Sequence, residues 1–189
     1  MRVSGRHVLV LLVALLVVTG GAGVAVANAP ARLSTSGPTD VDGTSATAVF
    51  DVGDRTIRQV RYRDRAVLFY RFELHNDGSL PVRVEGLAPL PHPPTLFRYL
   101  SVEHADDGSR AFTLPPGGST TAVLRLRMES CERLSARAGS FATEAALRTT
   151  RARGPVDEVV TVTLPEEVHT GSPREAFCPQ STAGSRPPG

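Results

Sequence analysis

Four histidines beyond the N-terminal segment, His75, His92, His104 and His169, and one methionine, Met128, are the side chains with which this chain could hold a copper or zinc ion. A locally built site of that kind places its ligands at short fixed spacings, so that two imidazoles share one face of a helix or strand. No two of these histidines stand at i, i+2 or i, i+4. With so few soft ligands, no metal site is expected. The paired acids, Asp106-Asp107 and Glu166-Glu167, could in principle do acid–base work. A glycosidase needs two carboxylates roughly 5–9.5 Å apart across a cleft, whereas sequence neighbours on a strand point to opposite faces. Asp106-Asp107-Gly108-Ser109 reads instead as a hairpin turn. Glu166-Glu167 reads as solvated charge just past the last strand. Asp40-Val41-Asp42-Gly43 invites comparison with a calcium loop. With Gly43 at the sixth position, Pro38 and Val49 fall where carboxylates belong, so a turn is expected. No G-x-S-x-G nucleophile elbow occurs. The expectation is therefore no catalytic residue, no cofactor and no enzymatic activity.

Cys131 and Cys178 are the only cysteines, and they are not spaced as a redox pair. In an exported chain an even count favours a disulfide. Closing a loop of about 47 residues would stabilise the fold by on the order of 4 kcal/mol in the chain-entropy model. Such a bridge would tie the C-terminal tail, residues 169–189, to the end of a strand.

Export is what residues 1–29 signal. Arg2 and Arg6 precede an unbroken apolar run from Val8 to Val18, and small residues follow to Ala25-Val26-Ala27-Asn28-Ala29. This is the charge, apolar core and A-x-A ending of a signal peptide. Two fates are open. Ala25-x-Ala27 suits signal peptidase. Alternatively, the charge-free stretch from Val8 to Ala27 is about long enough to cross the ~30 Å hydrocarbon core as a single anchor, with the arginines kept inside. Either way the remainder lies outside the cytoplasm, secreted or membrane-anchored.

All 21 basic residues are arginine, set against 19 acids. Two of the arginines belong to the N-terminal segment, so the rest of the chain is neutral overall. A nucleic-acid binder shows a basic excess; none is expected here.

These residues must be positioned by strands. Pro30 to Gly43, rich in Ser, Thr, Gly, Pro and Asp, reads as a linker. From 44 to 168 the chain breaks into short runs of period-two alternation separated by turn residues. Ala66 to Asn76 is the clearest, with Leu68, Tyr70, Phe72 and Leu74 on one face. Asn76-Asp77-Gly78-Ser79 then reads as a turn returning the chain through Pro81 to Leu87, a hairpin. Thr120 to Glu129 alternates equally well behind the turn Pro115-Pro116-Gly117-Gly118. Val156 to Leu164 forms the last face, and weaker strands are expected at Ala46–Val52, Ile57–Tyr62 and Leu96–His104. Ser140 to Arg151 alternates loosely, and its alanines also permit a helix. Seven to nine short strands of this kind predict an all-β, immunoglobulin-like antiparallel sandwich.

Leu87 to Thr95 contains four prolines and must run extended. It reads as a stiff crossover between two sheets. The functional alternative is a rigid loop offering Leu90, His92 and Phe97 to a partner.

Tyr70-Arg-Phe-Glu-Leu-His-Asn-Asp-Gly-Ser-Leu-Pro-Val-Arg-Val and Leu114-Pro-Pro-Gly-Gly-Ser, followed by Val123-Leu-Arg-Leu, resemble elements of exported bacterial Ig-like β-sandwich domains. The antibody-type core Trp is missing, because the chain has no tryptophan. The resemblance implies a fold shared by many functions. The functional expectation is a non-enzymatic extracytoplasmic binding or structural module whose partner is a protein or cell-envelope component. The rival is a copper- or zinc-binding chaperone-like protein.

Overall fold

The computed structural model describes residues 30–130, 139–151 and 154–170. The N-terminal segment, Cys131, Cys178 and the tail from 171 lie outside the described residues. Ten strands are described: β1 Leu33–Asp42, β2 Ala46–Val52, β3 Arg55–Val60, β4 Val67–Asn76, β5 Val82–Leu87, β6 Phe97–His104, β7 Phe112–Leu114, β8 Ser119–Met128, β9 Phe141–Arg151 and β10 Gly154–His169. They form two sheets, one of four strands in the order β1-β4-β8-β6 and one of six in the order β2-β3-β10-β9-β5-β7. The architecture is a β-sandwich. Its core is the inward row of β4 (Leu68, Tyr70, Phe72, Leu74) and of β8 (Ala122, Leu124, Leu126, Met128), packed against Ala145, Leu147, Val162, Leu164 and Val168 of the facing sheet. Residues 141–151 are strand and not helix. Their alanines are small inward residues, with Ala142 and Ala145 fully buried.

Four expectations need correction. The linker at 30–43 is largely strand: β1 pairs antiparallel with β4, Leu33 opposite Asn76 and Asp42 opposite Phe69. An edge strand with one face in water needs no strong apolar alternation, so its Ser/Thr-rich composition resembles a linker. Asp40 and Asp42 use their exposed positions on β1 to approach Arg71, at 3.3 and 3.9 Å. Gly43, at φ +81°, follows; a Cβ there would meet the Val67 carbonyl oxygen at 2.0 Å.

The expected hairpin of β4 and β5 does not form. Both edges of β4 are already taken, by β1 and β8, and β5 belongs to the other sheet. The turn at Asn76 is a corner between sheets. Asn76 is fully buried. Its side-chain amide donates to the carbonyls of Leu80 (2.9 Å), Leu114 (3.2 Å) and Pro115 (3.0 Å). Its backbone exchanges hydrogen bonds with Gly117 and Gly118 at the entry to β8. The Pro115–Gly118 turn also crosses sheets, from β7 to β8, so one asparagine holds two adjacent corners together.

The sandwich is not wholly antiparallel. β10 runs parallel to β3 over Glu167–His169, opposite Ile57–Gln59. This follows from the last correction: β10 continues through Pro165 to His169, with an irregularity between Thr163 and Val168 that lets it leave β9's register. Glu166 and Glu167 therefore sit on the strand, not past it.

Candidate functional site

The proline segment after β5 joins the six-stranded sheet to the four-stranded one, as a crossover should. Its ends are pinned. Ala88 N–H donates to Ala146 O at 2.8 Å, and Glu129 N–H to Leu96 O at 3.0 Å. His92 is exposed and Leu90 half-buried. Phe97 corrects the partner-loop expectation: it begins β6, is 4% exposed and belongs to the core. Its side chain belongs to the same buried cluster as Leu96 and Met128 and is not on offer to a partner.

The candidate metal ligands do not converge. His75 and His104 lie near the same end of the four-stranded sheet, but on opposite faces. His75 stands opposite the outward Ser119, and His104 opposite the inward Ala122. His75 Nε2 lies 2.6 Å from Ser36 Oγ of β1. His104 Nδ1 lies 3.2 Å from Asp107, and its ring packs on Phe112 at 5.7 Å. Met128 is buried at the far end of β8 and its sulfur accepts from Arg63 N–H at 3.1 Å. His169, on the outer face of the other sheet, stacks on Phe141 at 4.2 Å. Among the described residues, no group of three or more His, Cys, Asp or Glu is placed to hold an ion. The Ser36–His75 pair was invisible in sequence because Ser36 stood in the presumed linker. Its distance suits a nucleophile and base, yet it lies open on a flat sheet face. Glu73, the next acid along that face, is engaged by Thr121 at 2.5 Å.

A second polar group lies inside. Arg58 and Glu166 form a bidentate pair, Nε to Oε2 at 2.6 Å and Nη2 to Oε1 at 3.0 Å. Arg58 also donates to Thr39 Oγ1 of β1 at 3.0 Å. The hydrogen bonds to Glu166 outweigh burial and hold the guanidinium's pKa above its ordinary value. Tyr70 beside them is fully buried, and among the described residues its hydroxyl makes no hydrogen bond of ordinary geometry, with Glu166 as its polar neighbour. Burial, with the Glu166 carboxylate second, raises its pKa far above the ordinary phenol range, so it stays neutral. The cluster fastens the edge strand β1 to β3 and β10 across the sandwich. Thr35 of β1 adds a short hydrogen bond to the Thr163 carbonyl of β10. The Arg58–Glu166 pair is a structural clamp that links β3, β10 and, through Thr39, β1.

The surface that sequence reasoning missed is the outer edge of the six-stranded sheet. β2 is its terminal strand, hydrogen-bonded to β3 on one side only. Val49, Phe50 and Val52 are 49%, 42% and 44% exposed. Register defines the face beside them. Phe50 stands opposite Ile57, and Ala48 opposite Gln59. Gln59 stands opposite His169, and His169 opposite Phe141. Phe50, Ile57, His169 and Phe141 therefore share the outward face, and Phe141 is 43% exposed. Ile57 is buried there without joining the central core. Val49, opposite Arg58, points to the core side. Because Arg58 already reaches β1, the border of the smaller sheet, β2 overhangs it and Val49 faces water. The arginines behind the edge are matched, Arg55 with Glu167 at 3.0 Å and Arg58 with Glu166 at 2.6 Å, while Asp51 keeps its charge and accepts from Thr56 Oγ1 at 2.8 Å. Exposed β-branched and aromatic residues on an open edge are a surface that natural sheets usually cover or guard. The sequence signal was present in Ala46–Val52, a strand-former run with apolar residues at both parities and Asp51 as its one charge.

No protein-family model matches this chain, and no curated protein does. Among solved structures it is similar to the cupredoxin domain of amoB from Nitrosocaldus yellowstonii, at 18% identity and a TM-score of 0.27. That similarity covers 60% of this chain and 65% of the amoB domain, under two thirds of its length.

Proposed function

We propose that this chain is a non-enzymatic, extracytoplasmic contact module: an immunoglobulin-like sandwich, exported by residues 1–29, that works by presenting a surface outside the membrane. The observation that carries the reading is the apolar open edge, Val49, Phe50 and Val52 at 42–49% exposure, on a scaffold whose neighbouring arginines are paired. Water-exposed apolar groups at an unpaired strand are costly to leave uncovered, and covering them is what a partner supplies. The crossover with His92 and Leu90 is the secondary surface.

Site-specific photocrosslinking in living cells tests this. A photoreactive residue at position 50 is expected to give covalent adducts. One at position 159, where Val159 is 59% exposed away from the edge, is expected to give none. Equal adduct formation at the two positions, or none at 50, would overturn the edge as the working surface. Native mass spectrometry addresses the copper- or zinc-carrier rival. A stoichiometric metal adduct lost on His75→Ala or His104→Ala moves the function to metal carriage.

A further inference from the structure

We infer that residues 8–27 stay in the bilayer as the chain's anchor, and that the sandwich stands directly on the outer membrane surface with its Asn76 end down. The lipid surface is then the partner of that end. The inference rests on export by residues 1–29 in the reading above, and not on the β2 edge being the working surface.

The stretch that would serve as a spacer is folded into the domain. β1 starts at Leu33, and the backbone just before it is fixed as well. Ala31 N–H donates to Glu158 Oε2 of β10 at 3.2 Å, and Arg32 O accepts from Asp77 N–H at 2.9 Å. Glu158 is itself held by Arg151 at 2.7 Å. Only Asn28, Ala29 and Pro30 remain between the apolar stretch and the first fixed residue, a reach of at most about 10 Å. The polar headgroup layer is itself roughly 5–8 Å deep. A domain tethered so closely cannot stand clear of it. The apolar core of a cleaved signal spans about 7–15 residues. Val8 to Ala27 runs without a charge for about 20, the length that crosses a bilayer.

Topology decides which end faces the lipid. Leu33 pairs with Asn76, His75 with Ser119, and Val82 with both Leu114 and Arg151. The Asn76 amide donates to the Leu114 carbonyl at 3.2 Å, which sets the two sheets level. These residues therefore share the end at which the chain enters. The opposite end carries Phe141, His169 and Thr170, about 30 Å away along strands of ten residues. Gln59 pairs with Ala48 on one side and with His169 on the other. β2 thus begins level with the far end, and its open edge is held up from the membrane.

The lower end suits close approach to headgroups. Its two corner turns, residues 77–81 and 115–118, contain one charge, Asp77. Little charge must then be stripped of water as the surfaces meet. Arg32 is exposed at the entry, where lipid phosphates would lie.

The test uses the full chain, isolated from membranes and reconstituted in phosphatidylethanolamine–phosphatidylglycerol vesicles that carry a headgroup nitroxide quencher. The chain has no tryptophan, so each variant reports from one indole. Ser79→Trp and Arg32→Trp, both at exposed lower positions, are expected to lose more than half of their emission. Phe141→Trp, at the far end, is expected to lose almost none. Inserting about 15 Gly and Ser residues between Ala29 and Pro30 adds a span of roughly 20 Å and should relieve the quenching. Equal quenching at the two ends, or quenching unmoved by the insertion, overturns the upright stance. Intact-mass measurement is expected to find residues 1–29 retained. Loss of residues 1–27 overturns the anchor, and crosslinking through position 50 in that cleaved chain leaves the contact reading standing. Quenching at position 79 with no adduct at position 50 supports the stance while the contact reading fails. A chain that remains in the cytoplasm overturns both.

Discussion

At the scale of single residues, alternation in β4 separates neighbours sharply. Phe72 is fully buried and stacks on Tyr70 at 5.8 Å. Arg71, next in sequence, is 37% exposed and reaches Asp40 at 3.3 Å. Phe72→Ala is expected to cost ~3–5 kcal/mol through lost burial and the cavity left behind. Arg71→Ala removes a solvent-screened pair and is expected to cost under ~1 kcal/mol. Urea unfolding of the two variants checks this, and similar losses would refute the inward register of β4. His169 carries the pH dependence. Its partial burial, opposed by Glu167, lowers its pKa from the ordinary 6.5. Between the ordinary and lowered values the unfolded chain holds a proton that the folded chain does not. Its contribution to stability is therefore complete above about pH 6.5 and is lost as pH falls below that. His169→Gln should flatten this part of the stability–pH curve, as read by thermal melts from pH 7.5 to 4.5.

Strands act here through what fastens them to the opposite sheet. β1 has an exposed face and little apolar content, and it is held by β4's backbone and by the Arg58–Glu166–Thr39 cluster. Both charged partners are largely buried, at 13% and 10% side-chain exposure. Removing one leaves an uncompensated charge inside, so Glu166→Ala is expected to cost ~3–5 kcal/mol. The double change Arg58→Met with Glu166→Leu should cost much less than the single one. A double variant as unstable as Glu166→Ala in denaturant titration would show that the pair does more than satisfy itself. Peptide-resolved hydrogen exchange should show β1 opening first in Glu166→Ala.

Over the whole molecule, the last described residues before Cys131 and Cys178 lie at one end of the sandwich. Glu129 N–H donates to Leu96 O at 3.0 Å, Leu96 N–H to Ser140 Oγ at 3.4 Å, and Ser140 N–H to Thr170 Oγ1 at 3.0 Å. Cys131 follows Glu129 by two residues and Cys178 follows Thr170 by eight, a reach of up to about 27 Å when extended. The strand ends thus leave the pairing within range. Peptide mapping without reductant, on protein from an oxidising compartment, is expected to recover a Cys131–Cys178 cross-linked peptide. Reduction should lower stability by at most about 4 kcal/mol. Both thiols recovered free would refute the bridge.

Sequence periodicity by itself determined that the chain is β-rich, where most strands lie and which residues of β4 and β8 face inward. Those are local consequences of a two-residue repeat and of turn chemistry around Asn, Gly and Pro. Which strand lies beside which was not local. Leu68–Leu74 and Val82–Val84 show the same alternation whether they pair with each other or face each other across a core. Only occupancy of both β4 edges, and the three carbonyls around the Asn76 amide, made the turn a corner between sheets. The Ser/Thr-rich β1 was hidden because hydrogen bonding to β4, not apolar content, makes it a strand. The candidate surface was hidden for a related reason. Val49, Phe50 and Val52 look like ordinary strand residues until the overhang of the six-stranded sheet past β1 leaves them in water.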